Sequence, residues 1–161
     1  MPTQSQLTAT TRISSVLQRY AAIPLRAIAG CGFVQHGWAK IVKGPEAFAV
    51  ILTSLQVPFP HLSVYLTISI ELLGGAALLF GAFIVWVSVP TLMVLLVGMF
   101  TVHLPYGFSS IKIKAIVDGR AQFGPPGYEC DLLYIACILA LAFLNPSPWS
   151  IDRYRLLERN A

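Results

Sequence analysis

Charge is what this chain has least of. Only 11% of its 161 residues are Asp, Glu, Lys or Arg, under half of the ~25% usual in a soluble domain. Lys and Arg outnumber Asp and Glu by 11 to 7, but they are dispersed. No basic run occurs, and no aromatic-basic interleaving, so no nucleic-acid partner is expected. Cysteine is also scarce: Cys31, Cys130 and Cys137 form no C-x-x-C pair. Neither a disulfide framework nor a thiol-redox motif is required, and Cys130, beside Glu129, is the thiol best placed to react. A signal-peptide pattern is missing as well. Residues 1–19 are polar, and the apolar run after them is broken by Arg26 and His36, whereas a cleavable leader has a short, uninterrupted apolar region. The chain also lacks a flavin, haem or iron–sulfur motif and the internal repeat of a carrier.

Present instead are long apolar segments, in a chain that is 56% hydrophobic. A membrane span needs about 20 mainly apolar residues. The sequence predicts four, at about 20–42, 62–84, 85–104 and 129–145, between a polar tail at 1–19 and an interfacial C-terminal tail at 147–161. The fold class is therefore an all-α membrane protein, a four-transmembrane-helix bundle. A tight turn is expected between Gly81 and Trp86, with Pro90 in the first turns of the third span. Gly30, Gly32 and Gly37 in the first span and Gly74, Gly75, Ala76 and Ala77 in the second permit close helix approach where lipid gives no hydrophobic drive. The connection from Lys43 to His61 holds three prolines and reads as a loop. In the other long connection, Ile111-Lys112-Ile113-Lys114 precedes Asp118-Gly119. Apolar–polar alternation before Asp-Gly signals a β-hairpin between the third and fourth helices.

Ionisable residues inside these spans carry the functional information, because each costs roughly 2.5–3.5 kcal/mol on insertion scales unless paired, hydrated or useful. Four crossings put the end of span one, the start of two, the end of three and the start of four on one membrane face. His36, Glu71, His103 and Glu129 occupy those places. Two histidines and two carboxylates have the residue types of a proton relay or metal site. No H-x-x-E or E-x-x-H spacing reinforces a metal, so none is assigned. Each also has a structural reading: Glu71 and His36 as interhelical hydrogen-bonding locks, His103 as an interface residue before Pro105, and Glu129 as the acid at a helix N-terminus. Phe33, Trp38, Phe59, Tyr65, Tyr106, Phe108 and Tyr128 fall toward the same face, either as an aromatic belt or as a flat slot for a quinone ring. Arg26 lies nearer the other face and is expected to snorkel or pair with a headgroup.

Gly30-x-x-Phe33, His36-Gly37-x-x-Lys40, Glu71-Leu72-Leu73-Gly74-Gly75, His103-Leu104-Pro105-Tyr106-Gly107-Phe108 and Gly127-Tyr128-Glu129 together resemble the DoxX family of small four-helix membrane proteins, over roughly residues 20–153. The resemblance implies a multi-pass protein of a bacterial or archaeal cytoplasmic membrane, with relatives tied to sulfur and oxidative-stress redox enzymes. It does not by itself imply catalysis. Two readings follow. In the first, the chain is a redox-associated subunit: a quinone enters near Gly74 and Gly75, His36 donates to its carbonyl, Glu71 exchanges the proton, and His103 and Glu129 relay it. In the second, it is a non-catalytic anchor or assembly factor whose loop Ser109 to Gly127 docks a soluble partner oxidoreductase. Positive charge does not orient it: Arg12, Arg19, Arg153, Arg155 and Arg159 balance Lys40, Lys43, Lys112, Lys114 and Arg120. Both termini are expected in the cytoplasm.

Overall fold

A computed structural model describes residues 20–144 and 146–160; the expected N-terminal tail, with Arg12 and Arg19, lies outside them. Helix α1 spans Ala22–Lys43, and Lys40 and Lys43 fall in its last turn, where cations meet the negative end of the helix dipole. Gly44, at φ 92°, turns the chain. Pro45 then opens a second helix, α2, Pro45–Ser54, in a stretch that reads as a loop. Here proline starts a helix instead of breaking one, because its missing N–H falls among the first-turn groups that have no helical partner. Ala49 and Leu52 of α2 pack on Val64 and Ile68 of α3, Pro60–Ser69. A single π turn, Ile70–Gly74, joins α3 to α4, Gly75–Phe80.

Gly81 ends that rod in the left-handed conformation at φ 66°. Its N–H bonds the Leu78 carbonyl and Ala82 N–H bonds that of Ala77, a Schellman closure. Helix α5, Ile84–Gly98, follows and runs through a second π turn, Met99–His103, into the 3-10 turn Leu104–Tyr106. Pro90 lies in the first turns of this helix, as expected, but its missing N–H is not free of cost. As the seventh residue of α5 it lies beyond the four partnerless N–H groups, so it removes a real helical bond. Ser88 and Thr91 donate their hydroxyls back to the Ile84 and Val87 carbonyls, which hides these polar groups within the helix.

Strands β1, Ile113–Val117, and β2, Arg120–Phe123, form the expected antiparallel hairpin about Asp118-Gly119. Both turn residues have positive φ, as a two-residue hairpin turn requires. Helix α6, Glu129–Phe143, returns along α1 and α5, and α7, Ile151–Arg159, closes the described chain.

Two of these rods, Pro60–Phe80 and Ile84–Tyr106, are long and apolar enough to cross a membrane. Helix α1 has the length, but Arg26, Gln35 and His36 dilute its apolar character. Helix α6 has only 15 residues, about 22 Å of helix. The interior is small: Ala22, Ala29, Phe33, Leu78, Ile138 and Leu141 form its main cluster. Large side chains point outward instead, among them Trp86, Val89, Phe100 and Phe143.

Candidate functional site

Both π turns coincide with an ionisable side chain, and each of those side chains meets an opposite charge on another helix. A π turn accommodates one extra residue and often marks a functional position. Glu71 lies in the first, buried at 5% exposure. Lys40 of α1 reaches both of its carboxylate oxygens at 2.7 Å. Gly37, one turn before Lys40, permits the approach. A Cβ there would stand 2.9 Å from Leu72 Cγ and 3.1 Å from Glu71 Cβ. The ammonium also lies 5.0 Å from the Phe48 ring centroid, so α2 roofs the pair with a cation–π contact.

His103 closes the second π turn. Its Nδ1 is 2.6 Å from Oδ2 of Asp131 in the first turn of α6. Asp131 is buried and His103 half-buried. This acid–imidazole pair fixes the ring orientation and leaves Nε2 without a bond from Asp131. Asp131 went unseen in the sequence because Glu129 stands two residues away. About 200° of helix rotation separates them, so when one faces the bundle the other does not. The first-turn position of both was the available signal.

Glu129 takes the other direction. Its Oε2 accepts a hydrogen bond from Ser110 N–H at 3.0 Å. Ser110 Oγ donates to the Gly127 carbonyl and accepts from Cys130 N–H, so Glu129 fastens the base of the hairpin to α6. His36 is exposed, and its ring meets Tyr134 of α6 edge-on at 6.5 Å. Gly32, one turn earlier, sits under the Tyr134 hydroxyl so closely that a Cβ would overlap it. His36 therefore faces α6, and Glu71 faces Lys40.

The four expected residues do not converge. Among the described residues, no group of three His, Cys, Asp or Glu side chains could hold a metal. Nor do Gly74 and Gly75 wall a slot. A Cβ on Gly74 would lie 2.8 Å from Thr91 Cγ2, and one on Gly75 2.8 Å from Val34 N and 2.9 Å from the Gly30 carbonyl. Both glycines are filled by neighbouring helices, and a quinone ring does not fit between them. Phe33, expected in the aromatic slot, is buried edge-on against Tyr134 at 6.0 Å.

Arg26 neither snorkels nor faces a headgroup. At 7% exposure it is buried at the opposite end. It donates to the carbonyls of Leu78 (3.3 Å), Leu79 (2.7 Å) and Trp149 (3.2 Å) and to Ser147 Oγ (2.8 Å). Its guanidinium passes over Gly81, where a Cβ would stand 2.8 Å from Cζ. Beside it, Asp152 accepts from Phe83 and Ile84 N–H at 2.8 and 2.9 Å, capping α5 from another helix. These contacts bring the N-terminal ends of α1 and α5 to the C-terminal end of α4. The Lys40–Glu71 and His103–Asp131 pairs therefore both lie toward the other end.

A model of the DoxX family matches residues 21–104. The match holds Lys40, Glu71 and His103 and stops before the hairpin and Asp131. No curated protein and no solved structure matches the chain.

Proposed function

From the premise that this chain belongs to the DoxX family, we propose that it is a redox-associated subunit of a bacterial or archaeal cytoplasmic membrane. In this reading it crosses four times with both termini in the cytoplasm, and its two acid–base pairs handle protons for an oxidoreductase assembly. The membrane part is supported by the two long apolar rods and the outward-facing large side chains. One observation carries the functional part: each rod departs from α geometry at its Glu71 or His103, and each of those is paired across helices at the same end. Charges placed in hydrocarbon are expensive and mark proton or ion paths. Glu71, with Lys40 on both of its oxygens, is the interior stop for the proton. The His103–Asp131 pair, half-open, exchanges it with the aqueous face. The residues at Gly74 and Gly75 do not fit a quinone, so no step is assigned to one there.

The test uses protein extracted gently from its native membranes, read for co-purifying polypeptides, for quinone and for quinone-linked turnover. Glu71→Gln should still insert and keep its partners, with turnover lowered by about 10²-fold or more, the scale of a lost proton-transfer group. Full turnover in that variant removes the proton role. A second reading, a non-catalytic anchor or assembly factor, is favoured by a different fact: among the described residues, no buried side-chain polar atom lacks a partner. Polar groups so fully satisfied also serve as packing locks. Under that reading Glu71→Gln lowers partner recovery while the partner's specific activity stays the same.

A further inference from the structure

The hairpin combines an apolar face with no buried residue. All nine strand residues are exposed. Ile113 pairs with Phe123 and Ile116 with Ala121, and directly opposed residues share a face. Period-two alternation then puts Ala115, Val117, Arg120 and Gln122 on the reverse face. The irregularity between Ile113 and Ala115 brings Ile113 to the Phe123 side, as an inserted residue does. One face thus gathers Ile113, Ile116, Ala121 and Phe123, and the same alternation sets Lys114, two residues before Ile116, on that side as its one charged residue. Exposures of 64%, 72% and 63% for Ile113, Ile116 and Phe123 leave it uncovered. A lone two-stranded hairpin is marginal in water, so this face requires a cover.

We propose that the cover is the bilayer surface itself: the hairpin lies on anionic lipid at the membrane end that holds the acid–base pairs. The inference rests on the membrane-spanning reading above. Position and charge argue for lipid over a soluble enzyme. The hairpin follows the rod Ile84–Tyr106 after a short loop, residues 107–112, and Tyr106, Phe108 and Tyr128 stand at its base, the last two edge-on at 5.6 Å. Aromatic residues of this kind settle at headgroup level. Segment 111–123 carries three cations, Lys112, Lys114 and Arg120, against one carboxylate, Asp118. Long cationic side chains around an apolar face match a phosphate layer over acyl chains.

The experiment reconstitutes the full chain in vesicles of phosphatidylcholine and phosphatidylglycerol and follows labelling by a membrane-impermeant maleimide. Ile116→Cys and Phe123→Cys report the apolar face, Gln122→Cys the reverse face, and the parent protein the native thiols. With the vesicles opened so that both sides are accessible, the Gln122→Cys variant should label fast and the two apolar-face variants about tenfold slower. Their protection should weaken in phosphatidylcholine alone and when Lys112, Lys114 and Arg120 are replaced by Gln. Equal rates at the three positions overturn the proposal. Protection that arises only on adding the host's soluble fraction also overturns it, in favour of a protein partner. A carbonate wash separates the two levels. Equal labelling in a chain that resists the wash defeats the hairpin proposal alone, whereas a chain that washes off defeats the membrane-spanning reading and the hairpin proposal with it.

Discussion

A lysine 2.7 Å from both oxygens of a buried carboxylate is costlier to break than to replace. Removing one partner leaves an uncompensated charge, at about 3–5 kcal/mol, whereas replacing both with apolar residues of similar size is often neutral. Lys40→Met alone should therefore lower stability by about 3 kcal/mol, discounted from the upper end because Lys40 is partly exposed. The double variant Lys40→Met, Glu71→Leu should recover most of that loss. Denaturant titration of the protein in detergent checks both. Glu71 was legible in the sequence because a carboxylate in an apolar run stands out. Lys40 was not, since a lysine near the end of a span reads as a flank anchor. Arg26 was visible but its environment was not: three of its four acceptors are backbone carbonyls, which no residue type announces.

At the scale of elements, small residues set the helix spacing, and this much the sequence displayed. Gly30 and Gly75 face each other across α1 and α4. A Cβ on Gly30 would stand 2.8 Å from the Gly75 carbonyl and from Leu79 N, and backbone atoms cannot step aside as a side chain can. Gly75→Ala should cost about 1–3 kcal/mol, the scale of overpacking. Gly98, with nothing within 4 Å of its Cβ position, should accept Ala with no loss, or with a gain of up to ~1 kcal/mol from helix propensity. Thermal inactivation of the two variants side by side tests the contrast. Helix α2 and the π turns escaped the sequence for different reasons. Three prolines between Lys43 and His61 look like a loop until Pro45 is seen to occupy the first turn of a helix. A π turn arises from one residue's worth of accommodation between packed helices and leaves no periodic trace in a short apolar run.

The molecule as a whole has two unlike ends. One carries both acid–base pairs and the hairpin. The other is closed by Arg26, Gly81 and the segment from Ser147 to Asp152. Asp152→Ala should free the first N–H groups of α5 and the entry to α7. The expected cost is about 1 kcal/mol, as for other lost N-caps, with faster proteolysis after Trp149 as the readout. That closure also sets an order of events during synthesis. Arg26 belongs to the first of the described helices, yet two of its acceptors, Ser147 and Trp149, follow it by 121 and 123 residues. Until those two residues have been made, the guanidinium has at most the carbonyls of Leu78 and Leu79. A chain interrupted anywhere before Ser147 leaves a buried cation half satisfied. Arg26 thus ties an early helix to a late segment: its shell is complete only once the chain has been made through Trp149.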